Sequence, residues 1–146
     1  MHGKIFFEYL AEEFNGEEIE IDAAYPVDLY QENTVKNLLA SVAAESHEHE
    51  QVYPTFARVA KEEGFNQIAA SFNMIAKIEE IHSKRFAKLA KELEDDTMFK
   101  KATPVAWECQ VCGHIHYGVA APTICPVCKH PKGYFKVHGE ELTEQK

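Results

Sequence analysis

The chain has 146 residues, of which 45% are apolar and 27% charged, with twenty-four acidic against fifteen basic side chains and a formal charge of −9. Those proportions fit a compact globular protein and exclude a collagenous or disordered chain. The negative field and the lack of any basic block argue against nucleic acid as a partner. No apolar run reaches the roughly 18 residues of a membrane helix, and Lys4 and Glu8 interrupt what would be a signal's apolar core in Met1 to Leu10. The expectation is a cytoplasmic protein with no membrane partner.

Three parts follow in chain order: an N-terminal extension (1–33), a helical stretch (34–96) and a cysteine-bearing module (103–138). In the first, Phe6, Leu10 and Phe14 recur every four residues over Lys4 to Phe14, which predicts a short amphipathic helix. Asn15-Gly16 stops it, and the alternation Glu18-Ile19-Glu20-Ile21-Asp22 predicts a strand. No chemistry is legible in this part. Asn33 or Thr34 caps the next helix.

From Thr34 to Glu63 the stripe Leu38, Val42, Val52, Phe56 and Val59 fits a 3.6-residue period, with Pro54 expected to bend the helix. Gly64 ends it. A second helix, Phe65 or Asn66 to about Leu93, carries Ile68, Phe72, Ile75, Phe86 and Leu93 in the same rhythm. So short a turn makes the two helices antiparallel neighbours, an αα-hairpin.

Four groups occupy these stripes without being apolar: Glu45 and Glu48 in one helix, Glu79 and His82 in the other. Counted from Gly64, the first pair lies 19 and 16 residues back and the second 15 and 18 forward, so all four share one layer about 25 Å from the turn. A lone inward carboxylate is usually paired with Lys or Arg, yet neither occupies the stripes near this layer. A bound cation is the natural counter-charge. A carboxylate-bridged di-iron bundle takes a Glu from each of two helices and Glu-x-x-His from each of two more, and this chain supplies one of each kind. Two chains would supply the whole set, and dimerisation would also cover the half of each stripe that a lone hairpin leaves wet. His49 lies near Glu45 and is a ligand, a donor that holds a ligand, or a hydrogen-bonded core residue; His47 stands beside it.

In the last part, Cys109-x-x-Cys112 and Cys125-x-x-Cys128, twelve residues apart, form two knuckles whose thiolates converge on one metal. Spacing alone admits Zn or Fe. Trp107, Ile115, Tyr117, Tyr134 and Phe135 are the expected small core around it.

The motifs Ala44-Glu45-Ser46-His47-Glu48, Tyr53-Pro54-x-Phe56, Val59 to Phe65, Ala76-Lys77-Ile78-Glu79-x-x-His82, and Trp107-Glu108-Cys109 through Cys128 to Tyr134-Phe135 are together similar to the second half of rubrerythrin. That family joins a ferritin-like di-iron domain to a C-terminal rubredoxin-like domain, and the likeness covers about 100 of the 146 residues, Thr34 to Val137. The resemblance implies a mainly α fold, here a ferritin-like four-helix bundle completed by homodimerisation of the αα-hairpin, with a small rubredoxin-like ribbon. It implies Glu45, Glu48, Glu79 and His82 as di-iron ligands, Tyr53 beside the cluster, and Cys109, Cys112, Cys125 and Cys128 around a single Fe. It further implies reduction of hydrogen peroxide to water, with electrons from an NAD(P)H-linked reductase. Rubrerythrins also carry an N-terminal helix pair with its own Glu-x-x-His, which residues 1 to 33 lack. Ferroxidase or oxygen-reductase activity at the same centre is one alternative; a non-catalytic helical interaction module with a zinc ribbon is another.

Overall fold

The computed structural model describes residues 2–14, 17, 18, 20 and 30–139. Helix α1 spans His2–Glu13, α2 Thr34–His47, α3 Tyr53–Glu62 and α4 Asn66–Glu94. Strands β1 (Lys100–Cys109), β2 (Ile115–Ala120) and β3 (Phe135–Val137) follow. The strand expected over residues 18–22 falls largely outside the described residues. Among those described, no helix is long and apolar enough to cross a membrane.

The hairpin has the expected bounds, with local signals at its ends. Asn33 caps α2 by accepting from the Lys36 N–H at 2.9 Å. Gly64, at φ 92°, turns the chain out of α3 while the Phe65 N–H returns to the Ala60 carbonyl at 2.8 Å. The bend expected at Pro54 takes a different form: one π-helical turn, Glu48–Val52, joins α2 to α3, and Pro54 starts α3. Proline has no N–H for the preceding turn and its ring crowds it; the wider turn, closed by the Tyr53 N–H on the Glu48 carbonyl, absorbs both.

The expected stripe is corrected in part. Leu38, Val42 and Val52 are half-buried, while Phe56 and Val59 are 48% and 37% exposed, Phe56 still packed on Phe72 with ring centres 5.6 Å apart. Between α3 and α4 the alanines Ala57 and Ala60 on one helix and Ala69 and Ala76 on the other are buried, with Tyr53 and Ile75 as the large members. Alanines let the two backbones approach closely, and that leaves Phe56 and Val59 at the margins. Further aromatic contacts come from α1. Phe6 of α1 packs on Tyr53 and Phe72, with ring centres 6.4 and 5.6 Å apart, and the hydroxyls of Tyr9 and Ser71 are 2.5 Å apart. The N-terminal helix therefore lies on the hairpin as a third helix.

The strands form an antiparallel sheet in the order β2-β1-β3. The register of β1 on β2 slips between Lys100 and Val105, where Pro104 has no N–H for the ladder. Trp107, Cys109, Cys125 and Phe135 form the buried core, and the Trp107 indole N–H donates to the Gly118 carbonyl at 3.0 Å. Tyr117 and Tyr134, expected in that core, are at the surface, Tyr134 edge-on to His130.

Candidate metal centres

Glu79 is the most buried charged group described, 3% exposed on α4. An acid so placed requires partners for both oxygens. Oε1 lies 2.9 Å from Nδ1 of His2, and Oε2 lies 2.7 Å from Nδ1 of His82, one turn along the same helix. Glu45 comes across from α2, its Oε2 3.5 Å from the same His82 nitrogen. Donor atoms of Glu45, Glu79 and His82 lie within 4.8 Å of one another, the spacing of ligands around a metal. Ser46 and Ser83, their hydroxyls 2.8 Å apart, fasten α2 to α4 beside them.

The cluster carries more negative charge than it can easily hold alone. Burial first, then the hydrogen bond and charge of Glu79, raise the proton affinity of Glu45 above the usual carboxylate range. Glu48, in the π-turn, is raised by burial and then by Glu79, although its carboxylate stands outside the convergent group of three. Tyr53 is buried within an aromatic wall, its ring 6.5 Å from that of His2 and 6.1 Å from Phe72. His49 donates from Nδ1–H to the Ala76 carbonyl at 2.9 Å, and its Nε2 lies 4.0 Å from Glu80. His47 is exposed.

His2 is the group the sequence reading missed. Its signal was present: His2, Phe6 and Tyr9 stand four and three apart, on one face of the helix that packs against the hairpin.

The second centre is built by two matching knuckles. Cys109 N–H donates to the His114 carbonyl and Gly113 N–H to that of Cys109; Cys125 N–H donates to the His130 carbonyl and Lys129 N–H to that of Cys125. Gly113 at φ 75° and Lys129 at φ 63° take the same left-handed turn, which costs a lysine about 1 kcal/mol that glycine avoids. The sulfurs of Cys109 and Cys128 are 3.6 Å apart and those of Cys112 and Cys125 3.7 Å. Four thiolates placed tetrahedrally about 2.3 Å from one ion would stand about 3.8 Å apart, so the site fits a single Fe or Zn. Without the ion the thiols share protons unequally. Burial opposes ionisation of Cys125, but the backbone N–H groups of Cys128 and Val127 and the neighbouring sulfurs draw it down to about 6. Cys128 is pushed up to about 12 despite the His130 N–H, because burial and the other three sulfurs crowd it.

A helical carboxylate-imidazole cluster beside a four-thiolate ribbon defines a non-haem metalloprotein with two unlike centres. The family model for rubrerythrin matches residues 1–97, α1 included, and that for the rubrerythrin rubredoxin-like domain matches 107–136. The chain belongs to the rubrerythrin family. It is 48% identical over 139 residues to rubrerythrin of Clostridium perfringens, which covers 95% of this chain and 71% of that one. It is 41% identical over 138 residues to rubrerythrin of Nitratidesulfovibrio vulgaris, covering 94% and 70%. Among solved structures, fully reduced, all-ferrous nigerythrin aligns with a TM-score of 0.51 at 25% identity over 92% of this chain; this chain spans 62% of the length of that one. Both donor sets fit the iron centres of the family, a di-iron site and an Fe(Cys)4 site.

Proposed function

We propose that this chain is a rubrerythrin-type peroxidase that reduces hydrogen peroxide to water, with Glu45, Glu48, Glu79 and His82 at the di-iron centre and the four cysteines at the electron-relay iron. The observation that carries this reading is the convergence of Glu45, Glu79 and His82 in a chain that also brings four cysteine sulfurs together. When bound, the di-iron centre supplies the two electrons that, with two protons, convert H2O2 to two waters, and the cysteine iron returns them one at a time.

The residues divide the remaining work. Glu79 presents Oε1 to His2 and Oε2 to His82; with iron bound, Glu79 and His82 would hold the ions and His2 would orient the Glu79 carboxylate. Glu45 and Glu48, whose proton affinities are raised in the metal-free chain, would hold the ions as carboxylates once iron is bound. Tyr53, with Phe6 and Phe72, walls one side of the cluster from water.

The other side stays open, with His82 36% and Glu45 22% exposed. Met74, Ile78 and Ile81, four and three apart on α4, stand exposed as an apolar stripe. We assign that open side to a second copy of the chain, which brings the missing donors and buries the stripe. The helices then serve the peroxide chemistry and the ribbon at 103–138 the delivery of electrons from an NAD(P)H-linked reductase, in the cytoplasm.

The test mixes chemically reduced, iron-loaded protein with hydrogen peroxide and, separately, with O2. Peroxide is expected to reoxidise the helical centre at least tenfold faster. Faster reaction with O2 would instead assign it to ferroxidase or oxygen-reductase chemistry.

A further inference from the structure

Helices α2 and α3 are joined by a turn that holds one residue more than an α-helical turn, closed by the Tyr53 N–H on the Glu48 carbonyl. Each helix is fixed to α4 by its own contacts. Ser46, near the end of α2, meets Ser83 hydroxyl to hydroxyl at 2.8 Å, and Tyr53, at the start of α3, packs on Phe72 with ring centres 6.1 Å apart. The extra residue is thereby confined between positions 46 and 53, but these two anchors do not choose its place within that interval. The choice decides where one carboxylate stands. Glu48 keeps the phase of α2, its N–H reaching back to the Ala44 and Glu45 carbonyls, and it is half-buried about 60° round the axis from Glu45. Were the extra residue to come before it, Glu48 would stand in the direction that His47 now takes, about 100° away and exposed.

His49 lies inside the turn and reaches across to α4, where its Nδ1–H donates to the Ala76 carbonyl at 2.9 Å. A carbonyl only accepts, so this bond fixes the proton on Nδ1. The other ring nitrogen is 4.0 Å from Glu80 Oε2, beyond hydrogen-bond length, and Glu80 is already held by Lys84 at 2.7 Å. The grip of the ring on α4 is therefore the Nδ1 bond. Ala76 stands one turn before Glu79, so the turn that carries Glu48 is pinned to the stretch of α4 that carries the buried acid of the cluster.

We infer that His49 is a positioning residue for Glu48: its bond to the Ala76 carbonyl chooses the place of the extra residue and so keeps the Glu48 carboxylate on the side of Glu45. This rests on the assignment of Glu48 to the di-iron centre proposed above. His49 adds no donor atom to the convergent group of Glu45, Glu79 and His82 and acts through the backbone of the turn. The side chain that the position requires is one with an N–H at the place of Nδ1. His49→Asn presents an amide N–H at the same number of bonds from Cα, His49→Gln carries its amide one bond too far, and His49→Phe keeps a ring with no N–H. In all three the Ala76 carbonyl retains its own helical partner, the N–H four residues on.

The test uses full-length protein with zinc at the cysteines and the helical centre empty. Amide exchange is followed by NMR at the Tyr53 N–H, the bond that closes the turn. Its protection should fall about fivefold or more in His49→Phe and His49→Gln and recover to within about twofold of the parent in His49→Asn, while amides in the middle of α4 keep theirs. Ferrous ion is then titrated in without oxygen. Its affinity for the helical centre should fall about fivefold or more in the two loss variants and recover in His49→Asn. In a Glu48→Gln background His49→Phe should add less than about twofold, because its effect passes through Glu48. Unchanged protection at Tyr53 would overturn the inference. So would an affinity that ignores the loss variants, a fall that His49→Asn does not restore, or a fall that persists in full beside Glu48→Gln. Should Glu48→Gln alone leave ferrous affinity unchanged while Tyr53 responds as stated, the place of Glu48 at the di-iron centre falls and the pinning of the turn by His49 stands.

Discussion

The imidazole of His2 and the carboxylate of Glu79 meet at 2.9 Å, joining the start of α1 to the most buried acid of α4. His2→Ala removes the partner of Oε1 in a site with little water to replace it. The metal-free protein should lose about 1–3 kcal/mol of stability, measured by urea denaturation. Iron affinity of the helical centre should fall about tenfold or more. Unchanged values in both measurements would separate His2 from the site.

The two centres should load independently, because no ligand is common to them. Glu79→Ala is expected to abolish di-iron loading while leaving the visible band of the cysteine iron intact, and Cys112→Ser to do the reverse. Absorption spectra of the two variants, read with iron analysis, check both halves.

Burial first, then the charge of Glu79, leads Glu45 and Glu48 to keep their protons to higher pH in the folded chain than the ordinary value of 4.5. Just above that value the folded state binds more protons than the unfolded one, so the stability of metal-free protein falls as pH rises through the folded values. Below 4.5 the contribution is complete. Thermal melts of metal-free protein should show the decline, and Glu45→Gln with Glu48→Gln should flatten it.

The alanine seam makes a packing prediction. Ala76 is buried on α4, and its carbonyl accepts from His49. Ala76→Leu inserts volume where α3, the π-turn and α4 approach closely, with an expected cost of about 1–3 kcal/mol. Ala70→Leu, at an exposed position of the same helix, should cost less than about 0.5 kcal/mol. Denaturation midpoints of the two compare them directly.

Much of this was legible because it is local. Helix α4 follows from its apolar period, the shared layer of Glu45, Glu79 and His82 from counting about a short antiparallel turn, and the knuckles from cysteine spacing. What escaped depended on tertiary choice. The period of 3.6 gives a face but not how deeply each side chain sits on it: Ala57 and Ala60 are buried, while Phe56, packed on Phe72, and Val59 lie at the margin. Pro54 marked the disturbance without saying that a π-turn would absorb it. His2 shares a helix face with Phe6 and Tyr9, but its partner Glu79 lies far along the chain, and the packing of Phe6 on Phe72 and Tyr53, with Tyr9 on Ser71, brings them together.

A metal pair held among these helices would be completed by a second chain. Iron content per chain, measured on the same sample as its mass in solution, tests it most directly. A dimer with about two irons per chain is expected, one at the thiolates and half of a shared pair. A monomer, or one zinc per chain with no iron, would contradict it.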